Sequence, residues 1–371
     1  MANIDRGLIT GYIKTIRDRL EKLVDELYYL PLDINHEENA LNILCSFLQQ
    51  EGFEIDKNID NIQNTFIAKF GFGNRKVAFI CEFEALENGY TNGHNIQCAM
   101  NIGAALGFKR ILNEVDAQIL IYGFPKEEKV PLKISFEHRR LFNGVNLIVC
   151  GHPGEKTYEG VNSTGMSILN FDFLGKEASF NFYPNDGLST IVPMIKFLDI
   201  VQDLKSNINS SILLNYLIYS RDNDILKIPA TSSCKIAIKA NEYKILEEVK
   251  DKIIETAKFV SKMYGCDINF AVEEEYMPIK KNVELIKIIS HNLKELGITN
   301  IHGPLSTALS LDIGNISQRI PTIHPYIGIS QDEIYGTIEF KEATIKKYAK
   351  DMMIKASCAL ALTAFDYTNQ H

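Results

Sequence analysis

The chain has 371 residues, of which 46% are hydrophobic and 23% are charged, a composition that is typical of globular proteins and excludes the disordered and fibrous classes. Its length favours two domains over a single hydrophobic core. The formal net charge of -8 argues against a nucleic acid partner, because affinity for phosphates comes largely from clustered lysines and arginines.

The first half of the chain predicts a layered α/β domain. Apolar residues recur at helical spacing over residues 13–30 and 37–51, which predicts two opening helices. Strands are then predicted over residues 65–70, 76–82, 118–124 and 145–150, with helices over 96–114 and 136–142 between the last three. Several of these strands are apolar throughout, which is typical of strands covered on both faces. We therefore expect a central, mostly parallel sheet.

From about Met166 the order of the predicted elements changes. The pattern predicts a strand at residues 167–174, a helix at 187–204, strands at 211–219 and 234–240, a helix at 243–263 and a strand at 267–275. This β-α-β-β-α-β order is that of a ferredoxin-like domain. A helix at 283–296, a strand at 323–329 and a final helix at 341–363 follow.

The simplest organisation is a layered catalytic α/β domain interrupted by an inserted ferredoxin-like α+β domain. Residues 1–165 form the first part of the catalytic domain, residues 166–278 the insertion, and residues 279–371 the second part of the catalytic domain.

The seven cysteines are odd in number, scattered, and never spaced as Cys-x-x-Cys. This pattern predicts buried free thiols in a reducing compartment, and hence a cytoplasmic protein, and not a disulfide framework or a zinc cage. The first twenty residues mix charges with apolar residues and predict no secretion signal. Because no uncharged apolar run approaches twenty residues, we expect no membrane span.

Candidate functional residues follow three successive predicted strands. His94 lies in the loop after residues 76–82, Glu127 and Glu128 follow residues 118–124, and His152 follows residues 145–150. In open α/β sheets, functional groups collect beyond the carboxyl ends of the strands. Imidazoles and carboxylates bind a divalent ion such as zinc or manganese, and a neighbouring carboxylate can take a proton from an attacking water. The pattern favours a metal or hydrolytic site.

Each of these residues also has a plainer interpretation. Taken alone, His94, His152 or the Glu127-Glu128 pair would more often be a surface residue or a loop cap than a catalytic group. Only their coincidence at three consecutive strand ends favours a functional site.

Five segments carry a resemblance to a known family. They are CEFEALENGYTNGHN at residues 81–95, YGFPKEE at 122–128, VCGHP at 149–153, LSLDIGNIS at 309–317 and RIPTIHP at 319–325. In order and spacing they resemble the aminoacylase-like metallopeptidase family, in particular its aminobenzoyl-glutamate hydrolase and N-acyl amino acid amidohydrolase branch. The resemblance implies a catalytic α/β domain with an inserted ferredoxin-like domain that often dimerises. It also implies that His94, Glu128 and His152 are metal ligands and that Glu127 is the general base.

The chain departs from the family pattern at five positions. Asn92 stands where the family has a cysteine that bridges two metal ions, and Gly336 where it has its last metal-binding histidine. Ser179 replaces a histidine that helps to stabilise the oxyanion, Glu84 replaces an aspartate, and Lys239 replaces an arginine that contacts substrate. Because a neutral amide binds zinc poorly and glycine has no side chain, the resemblance implies a reduced site of one ion.

Two further residues are candidates to replace the lost ligands. Cys98 lies four residues after His94, so both side chains can lie on one helix face, although a buried structural thiol is the plainer interpretation. His324 lies in the segment that closes the family's active site, and beside Pro325 it has an equally plausible structural role.

Three functions remain open from the sequence, of which the third is a tailoring enzyme that uses the same cleft for non-hydrolytic chemistry. The first is a hydrolase that cleaves an amide bond of a small N-acyl amino acid or dipeptide-like substrate with a one-ion site. The second is a catalytically inactive or repurposed homologue that acts as a binding or scaffold protein. In each case the resemblance implies a small-molecule or short-peptide ligand and a homodimer formed through the inserted domain.

Overall fold

The computed structural model describes residues 2–125, 131–207, 212–220 and 224–370. Its α-helices are α1 (Ala2–Thr15), α2 (Arg17–Tyr28), α3 (His36–Gln50), α4 (His94–Lys109), α5 (Leu112–Val115), α6 (Leu132–His138), α7 (Ile191–Asn207), α8 (Tyr243–Tyr264), α9 (Val283–Glu295), α10 (Ile313–Ser317), α11 (Ile338–Ala343) and α12 (Lys347–Gln370).

The strands are β1 (Glu54–Lys57), β2 (Phe66–Phe70), β3 (Arg75–Glu82), β4 (Ala117–Phe124), β5 (Val145–Val149), β6 (His152–Gly154), β7 (Thr157–Tyr158), β8 (Val161–Asn162), β9 (Gly165–Leu174), β10 (Ala178–Ser179), β11 (Ile212–Ser220), β12 (Lys227–Ile228), β13 (Thr231–Ala240), β14 (Asp267–Tyr276), β15 (Ile301–His302), β16 (Leu305–Ser306), β17 (Thr322–Ile323) and β18 (Tyr326–Gly328).

The chain forms two compact units, of which the first comprises residues 1–162, 280–306 and 316–371. Its main sheet has the strand order β1-β2-β4-β3-β5-β17. Strands β4, β3, β5 and β17 pair parallel with one another, whereas β2 pairs antiparallel with β4 and with the edge strand β1. This is the mainly parallel sheet predicted from the apolar strands.

Helix α4 lies in the middle of the first unit and is buried from His94 to Phe108. A helix buried over this length packs against neighbours on every side. It contacts α12 and α2, and its Gly103 lies so close to α12 that an added Cβ would stand 2.8 Å from the Ser357 hydroxyl. This packing fixes the amino-terminal end of α4, where His94 lies.

The second unit comprises residues 163–279 and 307–315. Its antiparallel sheet has the strand order β11-β13-β9-β14, and helices α7 and α8 pack together beside it. Strand β9 alternates strictly between buried and half-buried residues, which is the pattern of a sheet with one covered face. The element order and the strand order are those of a ferredoxin-like domain, so the predicted fold class is confirmed.

Several predicted elements differ from the structure. The chain opens with α1, α2 and α3 instead of two helices, and the predicted final helix is divided into α11 and α12. The predicted strand over residues 323–329 is also divided: β17 pairs with β5 in the main sheet, and β18 pairs with β6 in a smaller one. The chain changes sheet at Pro325, which has no N–H for a ladder.

All seven cysteines are buried and free, as predicted. Within the described ranges, no helix is both long and apolar enough to cross a bilayer.

Candidate functional site

Three buried side chains converge in the first unit. The Nε2 atoms of His94 and His152 lie 3.3 Å apart, and His94 Nε2 lies 3.5 Å from Glu82 Oε2. Each of the three residues offers a ligand atom within 4.8 Å of the other two. All three are 4–5% exposed. In the described part of the chain, these three residues are the single group of three or more histidines, cysteines or carboxylates whose ligand atoms lie close enough together to hold a metal ion.

The sheet topology brings these residues together. Glu82 is the last residue of β3, His94 begins the helix that follows, and His152 lies just beyond β5, the parallel neighbour of β3. The chain runs from β3 to β4 on one side and then returns to β5 on the other side of β3. Such a switch point leaves a crevice at the carboxyl ends of the strands, and the three side chains lie there.

A glycine fixes where His94 begins its helix. Gly93 precedes α4 with a φ of 75°, a left-handed conformation that glycine adopts without strain. An added Cβ at this position would stand 2.7 Å from the Pro153 Cγ, so the loop before α4 and the segment after β5 approach closely. This approach also brings the His94 and His152 side chains together.

The tautomer of His152 follows from its hydrogen bond. Its Nδ1 lies 2.8 Å from the carbonyl oxygen of Pro153, and since a carbonyl only accepts, Nδ1 carries the proton. The lone pair of Nε2 therefore points toward His94. Tyr326 flanks the ring with a centroid separation of 4.8 Å, and Tyr335 lies 6.1 Å away. His152 is thus oriented as a metal-ligating histidine usually is, with the other ring nitrogen donating to a carbonyl.

His94 has two competing partners at Nδ1. The Glu84 carbonyl oxygen lies 3.2 Å away and the Asn92 amide nitrogen 2.9 Å away. Donation to the carbonyl leaves a lone pair on Nε2, as a ligand needs. Donation from Asn92 places the proton on Nε2 instead, where it can bond to His152. Asn92, which by the resemblance stands where the family has a bridging cysteine, therefore influences the tautomer of His94.

Glu82 is held from both sides. Its Oε1 lies 2.7 Å from the Lys133 ammonium, and its Oε2 accepts from the Gln97 amide at 3.3 Å. Its backbone N–H donates to Gln97 Oε1 at 2.9 Å, and its carbonyl accepts from the Cys98 thiol at 3.1 Å. Cys98 thus supports the Glu82 backbone, and it does not belong to the candidate ligand group.

The protonation states of the three candidate ligands suit a metal ion. Burial opposes ionisation of Glu82, yet Lys133 and His94 hold the pKa of this carboxyl well below its ordinary value. Burial lowers the pKa of His94 to about 3 and also lowers the pKa of His152. Near neutral pH the site therefore holds an ionised carboxylate and two neutral imidazoles, the forms in which these groups bind metals.

The three side chains fit a divalent ion. In a tetrahedral zinc site with bonds of about 2.0–2.1 Å, neighbouring ligand atoms stand roughly 3.3 Å apart. The separations of 3.3 Å and 3.5 Å in the Glu82-His94-His152 group match this spacing. Two imidazoles and one carboxylate also form a ligand set of catalytic zinc sites that leave a fourth position open.

The structure separates the predicted site residues into two groups. His94 and His152 lie together as described, whereas Glu127 and Glu128 lie outside the described residues.

Asn92 is buried beside His94. The Gly336 amide donates to the Thr91 carbonyl at 3.1 Å, next to Asn92, and an added Cβ at Gly336 would meet no atom within 4 Å. Both positions that lack the family's ligands therefore border this site.

His324 lies at the edge of the same group. Its ring centroid is 5.7 Å from that of His152, and its Nδ1 donates to the Cys150 carbonyl at 2.8 Å. Burial lowers its pKa to about 4. The candidate ligand group does not include it.

Sequence reasoning missed Glu82 and Lys133. One signal for Glu82 was available: this carboxylate directly follows the apolar residues 77–81 of β3, at the carboxyl end of the strand where functional groups are expected. Lys133 gave no signal, because a lysine in a short helix is usually exposed, whereas this one is 1% exposed.

The fold and the site together define a class: α/β proteins with an inserted ferredoxin-like domain and a cluster of potential metal ligands at the switch point of a mainly parallel sheet. No family model matches the chain. A mouse (Mus musculus) Xaa-Arg dipeptidase is 25% identical over 303 residues, which cover 78% of this chain and 70% of the relative. One of the p-aminobenzoyl-glutamate hydrolase chains of Escherichia coli (strain K12) is 28% identical over 165 residues, which cover 39% of this chain and 34% of that relative.

Solved structures share the whole fold. A protein assigned as an aminohydrolase from methicillin-resistant Staphylococcus aureus has a TM-score of 0.81 at 16% identity, covering 98% of this chain and 99% of its own. A dinuclear metal-binding peptidase of the M20 family from Bacillus subtilis has a TM-score of 0.69 at 14% identity, covering 93% and 98%. The chain is thus similar in sequence to a dipeptidase and to an aminobenzoyl-glutamate hydrolase chain and shares its fold with an M20-family peptidase, which confirms the resemblance of its sequence segments to the aminoacylase-like metallopeptidase family.

Proposed function

We propose that the protein hydrolyses an amide bond of a small N-acyl amino acid or dipeptide-like substrate, with a single divalent ion held by Glu82, His94 and His152. The observation that carries the proposal is the convergence of these three ligand atoms at the carboxyl ends of β3 and β5. The relatives support the substrate class, since one is a dipeptidase and another a hydrolase of p-aminobenzoyl-glutamate. Their shared chemistry is cleavage of an amide bond next to an amino acid.

The residues have distinct roles in this proposal. Glu82 and the two imidazoles would hold the ion at the carboxyl ends of the strands, where open α/β sheets bind their ligands. The ion, zinc or manganese, would polarise the scissile carbonyl and lower the pKa of an attacking water. By the family resemblance, Glu127 takes the proton of that water and gives it to the leaving amine, and Glu128 is a further candidate ligand.

Metal analysis followed by a hydrolysis assay tests this function. The purified protein should hold about one ion per chain after loading with zinc or manganese, as expected for a protein site of this type. It should then release amino acid from a panel of dipeptides and N-acyl amino acids that includes p-aminobenzoyl-glutamate. Glu127→Gln should abolish the release without loss of the ion. Persistent activity in that variant would show that Glu127 is not the base.

A second candidate function is favoured by a specific observation. Asn92 and Gly336 border the site without offering the thiolate and imidazole that the family has at these positions. A protein that binds the same ligands without turnover would need neither group. The double variant Asn92→Cys with Gly336→His tests this candidate, although the Gly336 φ of 87° opposes a side chain. A gain of a second ion together with new activity would favour the binding protein as the present function.

The remaining expectations accompany the proposed function. A homodimer through the second unit is proposed from the family resemblance, and a cytoplasmic location is proposed from the seven free cysteines.

A further inference from the structure

A lysine is buried beside the candidate metal ligands. Lys133, on the short helix α6, is 1% exposed. Its ammonium lies 2.7 Å from Glu82 Oε1 and 5.2 Å from the centroid of the Phe124 ring. A lysine is almost never buried to this degree unless it is paired, because removing an ammonium from water costs a large part of its solvation free energy. The pairing with Glu82 therefore compensates for a large desolvation cost.

The two oxygens of Glu82 face different partners. Oε1 faces the Lys133 ammonium, while Oε2 faces the imidazole of His94 at 3.5 Å and the Gln97 amide at 3.3 Å. The carboxylate is thus the shared element between an internal cation on one side and the two histidines on the other. An ion bound by Glu82, His94 and His152 would share that single negative charge with the ammonium.

We propose that Lys133 competes with the divalent ion for Glu82 and so weakens metal binding at this site. This inference rests on the proposed function, since it concerns the same three ligands. Two effects act in the same direction. The ammonium already neutralises the carboxylate, and it repels a second cation across a short distance in a buried region, where screening by water is weak.

A different role for Lys133 would have the opposite sign. Residues that bond to a metal ligand from behind usually orient it and strengthen metal binding, and their loss weakens binding by about 10–100-fold. If Lys133 acted in this way, its removal would reduce the affinity. The direction of the change in affinity therefore distinguishes competition from orientation.

The test measures metal affinity and needs no activity. Zn²⁺ dissociation constants of the full chain and of Lys133→Met are compared by competition with a chromophoric chelator, and Co²⁺ binding is followed by its visible absorption. Methionine keeps the length and the apolar stem but removes the charge. We expect Lys133→Met to bind Zn²⁺ more tightly by about tenfold or more, because the substitution removes the repulsion between two like charges in a buried region.

Two further variants complete the test. Lys133→Gln removes the charge but keeps a donor for Glu82, so it should also bind more tightly, and it replaces Lys133→Met if that variant does not fold. Lys250→Met is the matched control: Lys250 is 8% exposed on α8 in the second unit, and its ammonium lies 3.1 Å from Glu275 Oε1. Its removal should leave the Zn²⁺ affinity unchanged.

The outcomes separate this inference from the proposed function. Tighter binding by both Lys133 variants, with the control unchanged, supports competition. Unchanged or weaker binding by these variants, in a parent protein that holds one ion, overturns the inference and leaves the proposed function standing. Absence of Zn²⁺ from the parent and from all variants overturns the proposed one-ion function, and the inference with it.

Discussion

The Nε2 atoms of His94 and His152 face each other at 3.3 Å, although their residues lie 58 positions apart in the chain. Burial keeps both imidazoles neutral, so each ring has one nitrogen without a proton. The lone pair of that nitrogen can accept a hydrogen bond or bind a metal ion. With the proton on His94 Nε2, the pair forms a hydrogen bond. With the proton on His94 Nδ1, both lone pairs face the same point. Transfer of the His94 proton between its two ring nitrogens would therefore convert the site from a form in which the two histidines bond to each other into a form that can bind a metal ion. This change requires no movement of the backbone.

Gly93 should be sensitive to substitution, because its backbone and its surroundings both exclude a side chain. The φ of 75° costs an alanine about 1–2 kcal/mol, and the contact with Pro153 adds an overpacking cost of about 1–3 kcal/mol. We expect Gly93→Ala to lower the free energy of unfolding measured in urea by more than the backbone cost alone, and to weaken metal binding because His94 is displaced.

The control for this prediction is Gly297→Ala. Gly297 has a φ of 78°, but an added Cβ there would meet only the Lys355 ammonium, at 3.9 Å. Gly297→Ala should lower the free energy of unfolding by the backbone cost alone, about 1–2 kcal/mol, and should leave metal binding unchanged. Equal losses in the two variants would show that the contact between Gly93 and Pro153 is not tight.

His324 should make the protein less stable in mild acid. Its pKa is lowered from 6.5 to about 4 by burial, so between these values the unfolded chain binds a proton that the folded chain does not. The stability contributed by the neutral imidazole is therefore present above pH 6.5 and is lost as the pH falls toward 4, with a total of roughly 3 kcal/mol for this shift. His324→Gln should flatten the pH dependence of urea unfolding in that window.

An exposed histidine provides the comparison. The side chain of His291 is 67% exposed, so His291→Gln makes the same substitution at the surface and is the matched control for the buried site. The prediction for His324 is wrong if its variant shows the same slope between pH 6.5 and pH 4 as the parent protein.

The proposed homodimer predicts a role for the edge strand β11. This strand pairs with β13 on one side, and the exposed fractions of its Leu213 and Leu217 residues are 51% and 63%. An exposed apolar edge strand favours pairing with another chain. We expect Leu217→Lys to convert a dimer into a monomer, measured by light scattering after size-exclusion chromatography. The exposed Ile34 of the first unit supplies the control, and Ile34→Lys should stay dimeric. A monomeric parent protein would refute the dimer.

The fold followed largely from local patterns in the sequence. Apolar strands such as β3 predict burial on both faces, and the alternating order of elements in residues 167–275 predicts a ferredoxin-like domain. Element boundaries were less predictable where one apolar segment contributes a strand to each of two sheets. Residues 322–328 form two strands because Pro325 interrupts the ladder, and hydrophobic periodicity alone does not report such a change of partner.

The candidate site was only partly predictable. The rule for strand ends identified His94 and His152, because the fold brings the carboxyl ends of β3 and β5 together. It did not identify Lys133, since its burial depends on how α6 packs against the sheet and not on any local pattern. The roles of Glu127 and Glu128 stay predictions, because these residues lie outside the described part of the chain.

The central claim is that Glu82, His94 and His152 hold one divalent ion, and Co²⁺ titration tests it most directly. The parent protein should bind about one Co²⁺ per chain with the intense visible absorption of a four-coordinate ion, as expected for such a ligand set. Glu82→Gln, His94→Gln and His152→Gln should each abolish that absorption, while His291→Gln should retain it. Unchanged Co²⁺ binding in the three ligand variants, or none in the parent protein, would contradict the account.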